Sequence, residues 1–213
     1  AKQMGLPVGK LVCASNENNV LTDFLTTGTY TARRAFYKTT SPSMDILVSS
    51  NLERLLYHVT GSDTEVASLM KQLNETGSYT VRPETLAAIQ ESFACGWSSE
   101  AQVAEEIRAR YEQDHYLCDT HTAVAFHVAS QHKRDGVPMV VLSTASPFKF
   151  PRSVLEALGH TALENDFEAM QALEETTGRT APASLAVLRQ KAERFSTVID
   201  PAQIAEVALG CQA

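Results

Sequence analysis

The stretch of sequence that decides the fold is Pro138–Phe150, which reads Pro-Met-Val-Val-Leu-Ser-Thr-Ala-Ser-Pro-Phe-Lys-Phe. Residues 139–142 form a continuous apolar run, which is typical of a strand buried on both faces of a parallel sheet. The chain becomes polar at Ser143 and Thr144, and Pro147 prevents a strand or helix from continuing. Hydroxyl groups just beyond the carboxyl end of such a strand lie where open α/β sheets bind ligands. The stretch therefore predicts a buried strand, followed either by a ligand site or by an ordinary turn.

The composition is that of an ordinary globular protein. The 213 residues are 44% hydrophobic and 20% charged, and the formal net charge is −7. No stripe of basic residues offers the electrostatic footprint that a nucleic acid or an anionic membrane needs, so we expect neither partner. The sequence has no apolar run as long as a membrane span and no visible signal peptide, so a cytoplasmic location is expected.

Four cysteines, Cys13, Cys95, Cys118 and Cys211, are widely spaced along the chain. They form no C-x-x-C motif and no paired Cys/His spacing. They are therefore interpreted as reduced thiols, and neither a disulfide framework nor a metal site is expected.

Apolar periodicity and turn residues predict a helix-rich α/β fold with two or three parallel strands and flanking helices. Residues 10–15 are predicted to form a buried strand, and a short helix from residue 20 ends at Gly28. We expect three segments: 1–61 as part of an α/β domain, 62–115 as an inserted small helical subdomain, and 116–213 as the remainder with C-terminal helices. The remaining predicted helices cover residues 46–59, 64–75, 83–95, 99–111, 119–133, 152–158, 165–175, 182–195 and 201–209.

Two polar clusters near predicted strand or helix ends are candidates for chemistry. Asn16 and Glu17 lie nearest the end of the first strand and are better site candidates than Asn18 or Asn19, which are more typical of a helix N-cap. The pair Asp119 and His121 could belong to a metal or acid–base site. The preferred interpretation is a helix cap, at Asp119 or Thr120, beside a histidine bonded to a nearby backbone carbonyl.

Several stretches together resemble threonine synthases, in the same order and at similar intervals over nearly the whole chain. They are NENNVL (16–21), SPSMDI (41–46), SNLERLL (50–56), DTHTAV (119–124) and LSTASPFKF (142–150). The resemblance implies a pyridoxal-phosphate enzyme of fold type II, that of the tryptophan synthase β subunit. It implies conversion of O-phospho-L-homoserine and water into L-threonine and phosphate, with a small-molecule substrate and pyridoxal 5'-phosphate as cofactor.

The resemblance also implies that part of the family's machinery lies upstream of the first matching residue. The family holds its cofactor with a lysine and a loop rich in glycine and asparagine, and none of the seven lysines here lies in the lysine motif. The chain starts at Ala1 without an initiator Met, and residues 1–7 are typical of the end of a helix capped at Gly5. We therefore expect the C-terminal half of an enzyme, inactive alone and prone to self-association. The alternatives are a non-catalytic binding module and another pyridoxal-phosphate lyase of this fold.

Site residues carry over only where the motifs match. The resemblance assigns the Thr144 hydroxyl to the pyridine nitrogen of the cofactor, with Ser143 as a second cofactor-binding candidate. Lys149 is a candidate for binding the substrate phosphate, although a surface lysine covering the loop is an equal alternative, and Asn16 is a further substrate-binding candidate. The family usually has His where this chain has Ser146 and Pro where it has Thr120, so no role is assigned to these two positions.

Overall fold

The computed structural model describes residues 2–161 and 163–210, so Ala1 and Cys211 lie outside the described residues. The chain divides into two compact units, Ala1–Thr180 and Ala181–Ala213. The first unit contains β1 (Leu11–Ser15), α1 (Val20–Thr27), β2 (Thr29–Thr31), α2 (Leu52–Thr60), α3 (Asp63–Thr76), β3 (Ser78–Thr80), α4 (Pro83–Ser92), β4 (Phe93–Trp97), α5 (Glu100–Asp114), α6 (Thr120–Gln131), α7 (Pro151–Ala157) and α8 (Asp166–Thr177). The second contains α9 (Ala183–Ala186) and α10 (Ile204–Gly210). Short 3-10 turns span Lys2–Met4, Pro42–Met44, Pro147–Lys149, Val187–Gln190 and Pro201–Gln203.

The strands β1 and β4 form a parallel pair in the first unit. The two strands run in register from Leu11 opposite Phe93 to Ser15 opposite Trp97. The helices α1 and α6 pack on both strands. A second, antiparallel pair joins β2 to β3. Parallel strands connected through helices confirm the predicted α/β class.

The strand β4 was not predicted, since the sequence pattern extends the preceding helix to Cys95. In the structure α4 ends at Ser92, and the backbone is extended at Phe93. Gly96 allows α6 to approach this strand closely, because a Cβ atom there would lie only 2.8 Å from Cγ1 of Val128. Glycine within a strand commonly marks such a close approach.

The strand predicted at residues 139–142 is wrong for this chain. None of these residues belongs to a strand, and the side chains of Val140 and Leu142 are each 76% exposed. A β-strand obtains its backbone hydrogen bonds from a neighbouring strand, and no described strand pairs with this segment. The apolar run therefore pairs with no described strand, and two of its four side chains are uncovered.

Aromatic packing fixes the loop that follows β2. Phe24, Tyr30 and Tyr79 are almost fully buried, and the rings of Tyr30 and Tyr79 stack with centroids 5.3 Å apart. The Tyr30 hydroxyl donates to the Leu47 carbonyl at 2.9 Å and accepts from the Ser49 amide at 2.8 Å. This buried phenol thus ties residues 47–49 to the core.

Most predicted helices are present with small shifts at their ends, but the helix predicted at 46–59 begins only at Leu52. The segment 62–115 also contains β3 and β4, which pair with β2 and β1, so it contributes strands to both pairs. The three-segment domain division stays a prediction.

The helix predicted at 182–195 is wrong beyond its first turns, because helical structure ends at Gln190. Short helices owe their stability to a packed apolar face, and Val187 and Leu188 are more than 40% exposed.

Candidate functional site

Asp119 caps α6 and lies at the centre of the best-connected group of side chains near the Ser143–Thr144 turn. Its carboxylate is fully buried. It accepts hydrogen bonds from the backbone amides of His121 at 2.9 Å and Thr122 at 3.3 Å, and from the Thr122 hydroxyl. These contacts confirm the predicted N-cap, since a cap carboxylate satisfies amides that have no partner inside the helix.

The same contacts keep Asp119 ionised despite its burial. Burial alone would raise the pKa of this carboxyl, but hydrogen bonds from the side chains and backbone of His121 and Thr122 outweigh it and lower the pKa below its ordinary value. The pKa of the neighbouring Cys118 thiol is shifted in the opposite direction, upwards. Burial, together with the charge of Asp119, raises the pKa of Cys118 to about 12.

His121 links the cap to the loop at residues 42–44. Its Nδ1 lies 3.2 Å from Oδ1 of Asp119, and its Nε2 accepts a hydrogen bond from the Ser43 amide at 3.2 Å. An Nε2 that accepts carries no hydrogen, so we assign the ring hydrogen to Nδ1, where it is donated to Asp119. The predicted partner, a backbone carbonyl, is therefore wrong. The imidazole ring also packs against Phe150, with centroids 4.7 Å apart.

The two hydroxyls of the turn have different surroundings. Ser143 Oγ accepts a hydrogen bond from the Tyr116 hydroxyl at 3.1 Å and lies 3.3 Å from Oγ1 of Thr122. Thr144 is exposed, and its hydroxyl makes no hydrogen bond with any other described residue. The Ser143 oxygen thus accepts hydrogen bonds within the protein, whereas the Thr144 hydroxyl is available to a ligand as donor and acceptor.

Lys149 stands on the short turn that follows. The Ser146 hydroxyl caps this turn by accepting from the Phe148 amide at 3.3 Å. The Lys149 side chain is exposed, and its ammonium group lies 5.6 Å from the centre of the Phe150 ring. Within the part of the chain that the structure describes, this cation has no carboxylate partner.

Asn16 belongs to a separate polar network at the carboxyl end of β1. The residue is fully buried, and its amide nitrogen lies 2.7 Å from Oδ1 of Asp45 and 2.8 Å from the Thr39 hydroxyl. The carboxylate of Asp45 also accepts from the Asn18 side chain at 2.9 Å and from the Thr39 amide at 3.0 Å. The network fastens residues 39–45 to the end of the strand, and both amide hydrogens of Asn16 are used within it.

Sequence reasoning missed several partners of the site. Tyr116 and Thr122 were not candidates, although Thr122 stands three residues after the capping Asp119, a spacing at which a side chain can return to the cap. Glu100 was also missed. One of its carboxylate oxygens accepts from the Thr40 amide at 2.8 Å, which anchors the same loop to the start of α5.

Comparison with known proteins places this geometry in a family. A family model described as "Threonine synthase, C-terminal" matches residues 122–208. The threonine synthase of Methylobacillus glycogenes is 41% identical over 165 residues, which cover 75% of this chain and 35% of that protein. A crystal structure of pyridoxal-phosphate-bound threonine synthase from Brucella melitensis, 37% identical, superposes on 98% of this chain with a TM-score of 0.82.

The chain belongs to the threonine synthase family.

Threonine synthase from yeast gives the same fold at lower identity. It is 28% identical, and its crystal structure matches 98% of this chain with a TM-score of 0.82. The chain spans about a third of the length of the M. glycogenes threonine synthase and 41% of the Brucella chain. These comparisons confirm the resemblance, including its restriction to the C-terminal part, and the expected fold type.

Two negative findings concern the described part of the chain alone. No helix among residues 2–161 and 163–210 is both long and apolar enough to cross a bilayer. Within the same ranges, no three His, Cys, Asp or Glu side chains come together as a potential metal site.

Proposed function

We propose that this chain forms the C-terminal part of a pyridoxal-phosphate-dependent threonine synthase, which converts O-phospho-L-homoserine and water into L-threonine and phosphate. The observation that carries the proposal is the match of 98% of the chain, at 37% identity, to a threonine synthase whose structure contains pyridoxal phosphate. Such an enzyme would act in the cytoplasm on a small-molecule substrate. The cofactor, when bound, withdraws electrons from carbanions formed next to its imine, and the protein supplies orientation and electrostatics.

Thr144 is the residue that we assign to the cofactor's ring nitrogen. An exposed hydroxyl without a partner among the described residues fits this role, because it can donate its hydrogen outward. A neutral hydroxyl that donates to the ring nitrogen leaves that nitrogen unprotonated, whereas a carboxylate would favour protonation. Ser143 supports the same turn from the protein side, where its oxygen contacts Tyr116 and Thr122.

Lys149 is the residue that we assign to the phosphate of the substrate. Its ammonium group is exposed and lies on a turn five residues beyond Thr144. An ammonium group on a flexible stem binds a phosphate dianion as a point charge. For Asn16 we propose an indirect role at the substrate end, through the loop 39–45 that it holds, because its amide hydrogens are already donated within the protein.

The uncovered apolar run supports the view that other chain segments complete the site. Val140 and Leu142 remain largely exposed immediately before the turn that carries Thr144. The same surface is where the chain on its own would self-associate. We further propose that the chain alone is inactive, because none of its lysines lies in the family's cofactor-binding motif.

A chimeric enzyme tests the proposal. The part of M. glycogenes threonine synthase that aligns with this chain would be replaced by the 213-residue chain. The purified chimera would be assayed for phosphate release and threonine formation from O-phospho-L-homoserine. The same relative truncated before the replaced part serves as the control. We expect pyridoxal phosphate to bind and threonine to form in the chimera, and no threonine to form in the truncated control.

The outcomes separate the alternatives. A chimera that folds and binds the cofactor but forms no threonine would contradict the proposal and favour a non-catalytic module. A chimera that releases ammonia from serine or threonine instead would favour a different lyase of the same fold.

A further inference from the structure

The segment 138–145 is hydrogen-bonded to the rest of the first unit through one side chain. Among the described residues, none of its backbone groups makes a hydrogen bond, and its hydrogen bonds run through the Ser143 hydroxyl. Its packing is limited, because Val140 and Leu142 are largely exposed and residues 139, 141 and 145 are only half-buried. The position of Thr144, the next residue, therefore depends on how firmly Ser143 is held.

The Ser143 oxygen is held by two donors. The Thr122 hydroxyl faces the oxygens of Asp119 and Ser143 and donates towards both, with its single hydrogen shared between them. The contact with the carboxylate is the stronger one, because a charged acceptor forms the stronger hydrogen bond. The Tyr116 hydroxyl donates to the same Ser143 oxygen. Asp119 therefore orients the Thr122 hydroxyl, and Thr122 and Tyr116 hold Ser143.

We infer that Asp119 and Thr122 are positioning residues of the cofactor site: Asp119 orients the Thr122 hydroxyl, which anchors Ser143 and thereby positions Thr144, the next residue. The link to the cofactor rests on the proposed function. The anchoring itself does not, because it is a property of this chain without any ligand. Thr122 is 2% exposed and lies in the first turn of α6, so its side chain is held by the helix and the surrounding core.

The anchoring is tested by ¹⁵N relaxation in the cofactor-free chimera, in which the rest of the enzyme covers the surface that the isolated chain would use to self-associate. Thr122→Val keeps the shape of the side chain and removes the hydroxyl, so the Ser143 oxygen loses one of its two donors. We expect the order parameters of Ser143 and Thr144 to fall from about 0.85 to below about 0.6, while those of α6 remain unchanged. Thr122→Ser should restore them. Ser130→Ala removes another side-chain hydrogen bond from α6, to the His127 carbonyl, and should leave the turn unaffected.

The effect on catalysis is tested in the cofactor-loaded chimera by a double-mutant cycle. Thr122→Val should lower kcat about tenfold with little change in KM, and Thr122→Ser should recover most of the loss. In a Thr144→Val background, Thr122→Val should cause less than a twofold further change, because the donor that it positions is already gone. Unchanged order parameters in Thr122→Val, or additive losses in the cycle, would overturn the inference. An inactive chimera that still shows the relaxation effect would refute the proposed function and leave the anchoring standing.

Discussion

In Gly96→Ala, the added methyl group would press the strand β4 against α6, the helix that carries Asp119 and Thr122. An ideal Cβ atom at this position lies 2.8 Å from Cγ1 of Val128 and 3.3 Å from Oε1 of Gln131. Val128 is fully buried and short, so it cannot swing away. Overpacking of this kind costs about 1–3 kcal/mol. Alanine also lowers the conformational entropy of the unfolded chain, which stabilises the folded state by about 0.4–1 kcal/mol. The net destabilisation should be about 1–2 kcal/mol, and Tm should fall by about 2–8 °C.

Thermal unfolding followed by circular dichroism measures the effect, and two further variants make the measurement specific. Gly9→Ala is the matched control, since a Cβ there meets nothing within 4 Å; its Tm should not fall. Val128→Ala should cost about 1–2 kcal/mol less in the Gly96→Ala background than in the wild type, because it removes the clashing methyl. A wild-type Tm for Gly96→Ala, or an equal cost of Val128→Ala in both backgrounds, would refute the proposed packing of α6 on β4.

Three further predictions concern the site and its surroundings. In the chimera, Thr144→Val should lower kcat by about one to two orders of magnitude, because a buried acceptor left without its donor costs about 1–3 kcal/mol; Thr144→Ser should stay within about threefold, and wild-type turnover in Thr144→Val would contradict the assignment. Because hydrogen bonds lower the folded-state pKa of Asp119 from its ordinary 3.8, its stabilising contribution is present above that value and is lost as pH falls through the folded pKa. The free energy of unfolding, measured with urea from about pH 6 to about pH 3, should therefore fall more steeply for the wild type than for Asp119→Asn. Parallel curves would contradict a stabilising role of the Asp119 carboxylate. Burial, with the nearby Cys95, raises the pKa of Cys13 to about 11. Its thiol should therefore react with iodoacetamide far more slowly in the folded chain than in urea at pH 7, and equal rates would contradict the burial.

Local signals were sufficient to predict the helix ends. Ser99, where a helix start was predicted, caps α5, and Asp119 caps α6. Gly28 ends α1 with a φ angle of 77°, which favours glycine. Each of these features depends on atoms within a few residues of one another, which is why the sequence pattern alone predicts them.

Strands were predicted less well, because their partners are distant in sequence. The apolar run at 139–142 satisfies every local requirement of a buried strand, but among the described residues no strand lies beside it. The reverse error occurred at Phe93–Trp97, where a helical pattern continues into a segment that pairs with β1. Pairing partner and burial, not local preference, decide both segments.

In the candidate site, too, the features that depend on neighbouring residues could be predicted, and those that depend on residues distant in sequence could not. The turn at Ser143 and Thr144 could be singled out from the sequence, since polar hydroxyls follow an apolar run. The difference between the two hydroxyls could not, because it depends on Tyr116 and Thr122, which lie more than 20 residues away. The network around Asn16 likewise requires Asp45, 29 residues distant, and only the folded loop brings them together.

The most direct test of the account is a crystal structure of the chimera with bound pyridoxal phosphate. The account predicts Oγ1 of Thr144 within hydrogen-bonding distance of the ring nitrogen, about 2.7–3.1 Å, with Ser143 still held by Thr122 and Tyr116. A ring nitrogen bound by the Ser143 hydroxyl, or one that no hydroxyl of this turn reaches, would contradict it.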